Sequence, residues 1–576
     1  MSSTPPDLDD IGPLVRTAPM PQPAVARGFV LGTRTWAFLL LLGVYVLPGL
    51  VGHEPWKQDE TYIVEIVRNM LATGDAVVPR MAGETFMEKP PLFYWVAGAL
   101  ATLTSPVLPL HDGARLATGL FVLLACGAMA QCGRGWIDAQ FGRTTVFVLL
   151  ACFGLAAFSH LMLTDTALLA GVAVGMAGLP RWRTRPVASG LTIGTGVGIG
   201  FLAKGLLAPG VFGLTAILLP LCFARWRVRA YAHTVLVALL AALPWLTLWP
   251  AALWLRSPTL FNDWLWTNNI GRFVGFAVPA LGAAHDAGFW TKNLWWITFP
   301  AAPLAFIALW RDRAQLASDE RMQSAAVLAA VIFGVLVASA SARDGYALPL
   351  LPPLSLLGAR CALTLAPRVE AAWCVAARVL LGGIALALWL AWAVIMFSPE
   401  PLQPHALADL LPPHPDRHLD LARLACALAA TAGAAWLMGF HRRRQAALQT
   451  WVTGIALCWV LLVALFMPWA DEVKSYREVF GALRPALASG CVASYGLGES
   501  ERAMLRYYDG VVTERLETRP ASACTLILLE DPDGRLPHCS DSTTWQPVWN
   551  GARPGDRQEH LWLFRRAPGP ATCTDR

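Results

Sequence analysis

The sequence predicts an α-helical polytopic membrane protein with a small α/β domain at its C-terminal end. Hydrophobic residues make up 56% of the 576-residue chain and charged residues only 15%, whereas a soluble protein carries about 25% charged residues. The mean hydropathy is +0.48. This composition excludes a disordered chain, a coiled coil and a nucleic-acid-binding domain for most of the length. The net charge of +6 comes largely from arginines in short clusters between apolar runs, so it indicates membrane topology rather than an acidic partner.

Thirteen apolar runs are predicted to cross the hydrocarbon core, which takes about 20 helical residues. They are residues 35–52, 113–132, 144–158, 160–178, 188–204, 205–224, 232–252, 288–310, 322–340, 344–364, 373–397, 419–439 and 450–469. If the N-terminus lies inside, behind Arg27 and Arg34, every loop that is then predicted to be inside is rich in arginine, as the positive-inside bias requires. The odd number of crossings places the C-terminus outside.

Three domains follow from this pattern. Residues 1–33 are polar and rich in proline, and they are predicted to be a disordered cytoplasmic segment. They are longer and more acidic than the start of a signal peptide, so the first apolar run is predicted to be an uncleaved anchor. Residues 34–470 form the transmembrane domain, and residues 471–576 form an outer C-terminal domain.

Two outer segments within the transmembrane domain, residues 53–112 and 253–287, are too long for simple turns. In the first, apolar residues recur at helical spacing, with polar residues on the opposite side; the apolar residues are Ile63, Ile66, Val67, Met70 and Leu71, and the polar ones are Glu65, Arg68 and Asn69. This pattern is typical of a helix that lies in the membrane interface. Residues 92–103 predict a second helix of this kind.

The C-terminal domain is predicted to contain a helix at residues 501–508, a buried strand at 526–529 and a last strand at 561–564. Its four cysteines are Cys491, Cys524, Cys539 and Cys573. In an oxidising compartment they would allow up to two disulfides, with three possible pairings.

Charged and phenolic side chains are predicted to gather on the outer face of the membrane. They are the acids Asp59 and Asp165, the bases Lys89, Lys204, Arg272 and Arg343, and Tyr346. Carboxylates suit a general base or a metal site, and the cations suit a phosphate on a lipid head group.

Simpler roles are open for each of these groups. Asp59 can cap the helix that starts near it, and Glu88 with Lys89 can form an ordinary interfacial ion pair. Asp165 and Lys204 can be end-of-helix residues that reach toward the membrane surface.

The motifs that contain these residues resemble those of the GT-C membrane glycosyltransferases, in particular the ArnT-like aminoarabinose transferases of lipid A, with the protein O-mannosyltransferases as relatives. The resemblance covers residues 35–365, and the remainder resembles the family in architecture. The motifs are Asp59-Glu60-Thr61, Met70-Leu71-Ala72-Thr73-Gly74-Asp75, Pro79-Arg80, Phe86-x-Glu88-Lys89-Pro90-Pro91-Leu92-x-Tyr94-Trp95, Asp165, Lys204-Gly205, Arg272-Phe273 and Tyr346-x-Leu348-Pro349-x-x-Pro352.

This resemblance implies the GT-C fold and an inverting transfer of a sugar from an undecaprenyl-phosphate donor. The sugar would be 4-amino-4-deoxy-L-arabinose or another pentose or hexose, and the acceptor a periplasmic glycolipid such as lipid A. The chain would lie among the lipids of the bacterial inner membrane, with its site on the periplasmic side and no nucleic-acid partner. A protein or polysaccharide acceptor is an alternative, and a flippase of lipid-linked sugars is an alternative of another class. A flippase is less favoured because transporters place their charges near the bilayer midplane.

The resemblance also implies roles for individual residues. The catalytic set is Asp59, Asp165 and Glu60, and the groups that bind the donor phosphate are Lys89, Arg272, Tyr346, Lys204 and Arg343. A divalent metal ion is a candidate cofactor, with Glu88 and Asn269 as its ligands.

Three positions depart from the pattern of the aminoarabinose transferases. Tyr62-Ile63 stands where the family has Arg-Tyr, so a basic residue is missing beside Asp59. Asn269 stands where the family has a metal-binding histidine, and asparagine suits zinc poorly. Arg343 carries a positive charge that the family places one position away. His285 is a candidate replacement for the missing ligand, and an interfacial histidine is the alternative. These departures leave both the sugar and the acceptor open.

Overall fold

The computed structural model describes residues 35–282, 284–286, 288–398, 412, 416–440, 446–487, 490–519, 522–531, 545–554 and 559–566. The predicted disordered segment 1–33 lies outside these residues. Helices dominate the described chain, and a small sheet follows them at the C-terminal end. The predicted class, an α-helical membrane protein with a C-terminal α/β domain, is confirmed.

Seven helical runs in the described residues are long and apolar enough to cross a membrane. They are Leu110–Trp136, Pro186–Lys204, Arg229–Arg256, Glu320–Ala338, Pro367–Phe397, Leu421–Met438 and Ala446–Leu487. The pair Phe289–Thr298 and Ala301–Arg311 would add an eighth crossing, but it is bent by 90°. The bend lies at Pro300, which lacks the N–H that would continue the helix.

Shorter helices occupy the other predicted crossings. They are Thr35–Val46, Ala139–Leu150, Phe153–Phe158, Thr164–Gly178, Leu207–Cys222 and Leu351–Ala362. The 3-10 helix Asp344–Leu350 precedes the last of them. The predicted crossing 144–158 is therefore two helices rather than one. The count of thirteen crossings stays a prediction, because these helices fall short of the length that spans a membrane without help from a neighbour.

The remaining helices lie in loops or within the longer runs. They are Asp59–Thr73, Leu92–Thr104, Leu179–Arg181, Ala224–Trp226, Pro258–Asn262, Asp263–Gly271, Arg272–Val274, Val278–Leu281, Arg313–Leu316, Leu421–Phe440, Ala446–Leu461, Leu462–Phe466, Met467–Lys474, Arg477–Leu487 and Glu499–Asp509. Helix Met467–Lys474 crosses the predicted boundary between the transmembrane and C-terminal domains.

Helix Asp59–Thr73 is covered on both sides. An interfacial helix would expose its polar side to water, but Glu65 on that side is only 1% exposed. Helix Glu499–Asp509 of the C-terminal domain packs over it, and Arg506 pairs with Glu65 at 3.2 Å. The sequence correctly separates the apolar side of this helix from its polar side, but it does not show that the C-terminal domain covers the polar side.

The C-terminal domain contains a five-stranded sheet. Its strand order is Glu514–Arg515, Val492–Tyr495, Leu526–Glu530, Leu561–Arg566 and Trp545–Gly551. The first three strands are parallel, and the last two pair in antiparallel fashion. The predicted helix and both predicted strands are present. Cys491 is bonded to Cys524, whereas Cys539 and Cys573 lie outside the described residues. A separate two-stranded hairpin, Arg80–Met81 with Glu84–Thr85, lies in the first outer segment.

Three of the arginine-rich loops that are predicted to be inside contact one another at one end of the helix bundle; they contain Arg183, Arg225 and Glu320. Arg183 donates to Glu320 at 2.9 Å and to the carbonyl oxygen of Arg225 at 2.9 Å. Arg360 pairs with Asp312 at 2.6 Å. Three of the predicted inner loops therefore lie together, as the alternation of loops requires.

Candidate active site

Asp59 lies at the centre of a cluster of charged side chains, and it is the first residue of helix Asp59–Thr73. Its Oδ1 accepts a hydrogen bond of 2.5 Å from the Tyr62 hydroxyl. Its Oδ2 lies 3.8 Å from the Lys89 ammonium, and its Oδ1 lies 3.7 Å from the Arg343 guanidinium. The carboxylate therefore faces side chains rather than capping the helix.

Asp165 and Lys204 form an ion pair beside this group. Asp165 is 4% exposed, so it does not reach toward the membrane surface as the simpler role requires. The Lys204 ammonium lies 3.6 Å from the centre of the Tyr346 ring, an arrangement that stabilises a cation. A Cβ atom on Gly345 would lie 3.7 Å from the Asp165 carboxyl carbon, so the segment that carries Tyr346 passes beside Asp165.

Arg272 and Glu88 form the third pair of the site. The guanidinium donates to both carboxylate oxygens of Glu88, at 2.7 and 3.2 Å. Glu88 thus pairs with Arg272 and not with its neighbour Lys89, so an ion pair between adjacent residues is not what the structure contains. Arg272 comes from the second outer segment, which places that segment against the first.

Both central groups keep their charge. Burial alone would raise the pKa of Asp59, but Lys89, the Tyr62 hydroxyl and Arg343 together lower it below its usual value. Burial would lower the pKa of Lys89, but Asp59 and other neighbouring acids raise it above its usual value. At neutral pH the site therefore holds an ionised carboxylate against an ionised ammonium.

The predicted site residues thus come together from six separate parts of the chain, apart from Glu60 and Asn269. Those that meet are Asp59, Lys89, Glu88, Asp165, Lys204, Arg272, Arg343 and Tyr346. They lie at the end of the bundle on which the C-terminal domain packs.

Glu60 faces away from this group and is bonded to other parts of the protein, so its catalytic role stays a prediction. It is 2% exposed, and Oε1 accepts from Arg115 at 2.8 Å and from the Met162 amide at 3.0 Å. Oε2 accepts from the Trp56 amide at 3.1 Å. The reason is helical geometry, because adjacent residues of a helix point about 100° apart. Glu60 fixes the start of the helix that carries Asp59.

Glu60→Gln should lower stability without removing catalysis. The amide keeps the shape of the side chain but loses a charged hydrogen bond to Arg115, which we expect to cost about 2 kcal/mol of unfolding free energy. The measurement is the thermal unfolding midpoint of purified protein together with transfer activity per folded molecule. Glu478→Gln, on an exposed helix surface, is the matched control, and a stable Glu60→Gln protein without activity would support the catalytic role.

The predicted metal ligands Glu88 and Asn269 are bonded to other groups of the protein. Both oxygens of Glu88 are bonded to Arg272, and the Asn269 amide oxygen accepts from the Leu206 amide at 3.2 Å. Both ring nitrogens of His285 lie near backbone carbonyl oxygens, at 2.8 and 3.0 Å, so the ring is placed to donate to the backbone. A cation at Glu88 would have to displace a bidentate guanidinium.

We therefore expect a chelator to leave the initial rate of the purified protein unchanged. The physical reason is that Arg272 already neutralises the carboxylate that a metal would need. The rate is measured with and without EDTA after extensive dialysis. Loss of activity that a divalent metal ion restores would show that this expectation is wrong.

Sequence reasoning missed two side chains that bond directly to predicted site residues. Tyr62 lies one helical turn after Asp59, and residues at this spacing share a side of the helix, so the spacing was a usable signal. Arg115 lies at the end of a long apolar helix and is fully buried. An arginine in such a run signals a buried acidic partner; Asp112, three residues earlier, is one at 2.8 Å, and only the fold shows that Glu60 is another.

The C-terminal domain is joined to the site by specific bonds. The hydroxyls of Thr61 and Ser500 are hydrogen-bonded at 2.9 Å, and Arg502 donates to Glu84 at 2.9 Å. Arg502 is 6% exposed, so this arginine belongs to an interface and not to a solvated basic surface. These contacts hold the C-terminal domain against the first outer segment.

An acidic cluster of Glu501, Glu530 and Glu559 lies at the same interface, with one oxygen of each within 4.8 Å of the others. Lys57 pairs with Glu501 at 3.0 Å and also with Glu559. Burial and the two neighbouring glutamates raise the pKa of Glu530 to about 7. Because Lys57 is two residues before Asp59, the cluster connects the C-terminal domain to the start of helix Asp59–Thr73.

Known proteins resemble the chain over a large part of its length. It is 28% identical over 344 residues to the undecaprenyl phosphate-alpha-4-amino-4-deoxy-L-arabinose arabinosyl transferase of Serratia proteamaculans (strain 568), covering 56% of this chain and 58% of that protein. The transferase of the same name from Pseudomonas aeruginosa (strain UCBPP-PA14) is 31% identical over 56% of this chain and 59% of its own. That of Aeromonas salmonicida (strain A449) is 29% identical over 76% of each. The chain thus spans a little under three fifths of the first two relatives, and no family model matches it.

The fold matches a solved membrane enzyme. The crystal structure of ArnT from Cupriavidus metallidurans bound to undecaprenyl phosphate aligns with a TM-score of 0.67 and 19% identity, over 93% of this chain and 98% of that one. The apo form of the same enzyme aligns with a TM-score of 0.64. The alignment covers most of both chains, so this chain has the fold of that protein.

Proposed function

We propose that this multi-pass membrane protein, a relative of the aminoarabinose transferases with the fold of ArnT, is an inverting glycosyltransferase. It moves 4-amino-4-deoxy-L-arabinose from undecaprenyl phosphate to a phosphate group of a glycolipid such as lipid A. The protein lies in the bacterial inner membrane. Its site is on the periplasmic side, because the arginine-rich loops, which favour the cytoplasmic side, lie at the opposite end of the bundle.

The cluster of paired charges around Asp59 is the observation that carries this proposal. The phosphate of the sugar donor is a diester with one negative charge. When the sugar is transferred, undecaprenyl phosphate departs as a monoester with two negative charges. A site for this reaction needs cations that can turn toward the growing charge. Lys89 and Arg343 share one carboxylate, Asp59, so one positive charge of this group is in excess.

The transfer is a single in-line displacement. The bond between sugar C1 and the donor phosphate oxygen breaks, and a bond from C1 to the acceptor oxygen forms on the opposite face. Lys89 and Arg343 stabilise the departing phosphate. Asp59 holds these cations in place, and its negative charge favours the positive charge that develops at the sugar ring.

The state of the carboxylates favours a phosphate acceptor. A hydroxyl acceptor must lose a proton to a base, but the pKa of Asp59 is lowered by its cationic neighbours and Asp165 is paired with Lys204. Asp59 is therefore a weaker base than a free carboxylate, and Asp165 already holds a cation. A phosphate oxygen is already anionic at neutral pH and needs none.

The test is reconstituted transfer with defined substrates. Purified protein is given undecaprenyl-phosphate aminoarabinose with either lipid A or lipid A stripped of its phosphates, and products are identified by mass spectrometry. We expect one aminoarabinose to be added to a phosphate of intact lipid A and none to the stripped lipid. Transfer to sugar hydroxyls or to a protein would overturn the acceptor, and movement of donor lipid across vesicles without any glycoside would indicate a flippase instead.

The sugar is tested in the same assay. The departures at Tyr62 and Arg343 lie beside Asp59, where the sugar must bind. Donors that carry arabinose without the amino group, or a hexose, are compared with the aminoarabinose donor. A preference for one of them would overturn the proposed sugar and leave the reaction type in place.

A further inference from the structure

Tyr62 touches both charged groups at the centre of the site. Its hydroxyl donates to Asp59 at 2.5 Å and accepts from Lys89 at 2.7 Å. The side chain is 4% exposed, and its ring packs beside Phe86 with centroids 5.1 Å apart. The single hydroxyl proton points to the carboxylate and a lone pair points to the ammonium, so both directions are fixed.

The hydroxyl also sets the distance between the two charges. The Lys89 ammonium lies 3.8 Å from Asp59 Oδ2, which is longer than a hydrogen bond of about 2.7–3.2 Å. A buried ammonium and carboxylate would ordinarily close to a direct charge-assisted bond. Here an N–H of the ammonium donates to the tyrosine hydroxyl instead, and the hydroxyl in turn donates to the carboxylate.

Lys89 is left with hydrogen-bonding capacity as a result. An ammonium has three N–H groups, and Tyr62 is the one hydrogen-bond acceptor that the described residues offer to Lys89. The lysine is 7% exposed, so its other N–H groups are held in a largely enclosed space beside the Asp59 carboxylate. This is the state required of a group that must bind an incoming anion.

We propose that Tyr62 is a positioning residue that keeps Lys89 apart from Asp59, so that the ammonium remains available to the donor phosphate. The role rests on the proposed function, because it assumes that a lipid phosphate binds at Lys89. Tyr62 itself makes no bond to the substrate in this account. Without the hydroxyl, the ammonium closes on Asp59 and the phosphate must compete with the carboxylate for it.

The first test is the affinity of Tyr62→Phe for undecaprenyl phosphate, measured by quenching of tryptophan fluorescence in detergent. We expect the Kd to rise about tenfold, the size of one hydrogen bond to a charged group. The KM for the donor should rise with it, while the KM for the acceptor stays the same. An unchanged Kd would overturn the proposal.

Tyr94→Phe is the matched control. Tyr94 is also a fully buried tyrosine of the first outer segment, and its hydroxyl has no hydrogen-bond partner among the described residues. Its removal deletes the same atom without touching Asp59 or Lys89, so the Kd should stay at the wild-type value. A loss in Tyr94→Phe equal to that in Tyr62→Phe would mean that any lost hydroxyl weakens binding, and this would also overturn the proposal.

The second test separates positioning from a general structural role. In an Asp59→Asn background there is no carboxylate on which Lys89 can close, so Tyr62→Phe should no longer weaken binding of undecaprenyl phosphate. The two substitutions are compared singly and together by the same fluorescence measurement. An equal loss in both backgrounds would show that the tyrosine acts independently of Asp59. Because this assay needs binding alone, its failure is distinguishable from absence of sugar transfer in the wild type, which would refute the proposed function.

Discussion

Asp59→Asn is expected to lower kcat for sugar transfer by about 10²–10³-fold, the usual effect of removing one preorganised electrostatic group. The amide keeps the size of the side chain but loses its negative charge. Lys89 and Arg343, at 3.8 and 3.7 Å, then lack the anion that holds them, and the sugar ring loses a stabilising charge in the transition state. The measurement is product formation from saturating undecaprenyl-phosphate sugar.

The control for this result is Asp286→Asn. It removes the same charge from another outer loop, where Asp286 pairs with Lys292 on an exposed surface, and we expect a wild-type rate. Binding of undecaprenyl phosphate should survive in Asp59→Asn, because the cations remain. A wild-type kcat in Asp59→Asn would show that the carboxylate has no part in the reaction.

Lys89→Met is expected to weaken binding of undecaprenyl phosphate by about 100-fold. The pair that is lost is the one between Lys89 and the donor phosphate, and removing one partner of such a buried charge pair at a binding site costs about 2–5 kcal/mol. Methionine fills the space of the lysine stem. The loss should appear in the donor Kd and KM while the thermal unfolding midpoint changes little, because Arg343 still neutralises Asp59.

Lys292→Met is the matched control for Lys89→Met. Its ammonium is 70% exposed and pairs with Asp286 at 3.0 Å, so the same substitution there should leave donor binding unchanged. Equal donor affinities in wild type and Lys89→Met would show that the lysine does not bind the donor phosphate.

The pairing inside the site differs from what neighbouring positions in the sequence indicate. Glu88 and Lys89 are adjacent, yet Glu88 pairs with Arg272 and Lys89 faces Asp59. Asp59 and Glu60 are adjacent as well, yet Asp59 faces Lys89 and Glu60 pairs with the buried Arg115. Successive side chains diverge, so each finds partners that are distant in sequence.

The sequence by itself determined the membrane class, most of the helices and the end of the bundle at which the acids and cations gather. These follow from composition, apolar run length and the placement of arginines, all of which are local properties of the chain. The tertiary structure decided that Tyr62 bridges Asp59 and Lys89, that Glu60 binds Arg115, and that the C-terminal domain covers the polar side of helix Asp59–Thr73. Helical periodicity shows which side chains share a side of a helix, but only packing fixes what lies opposite them.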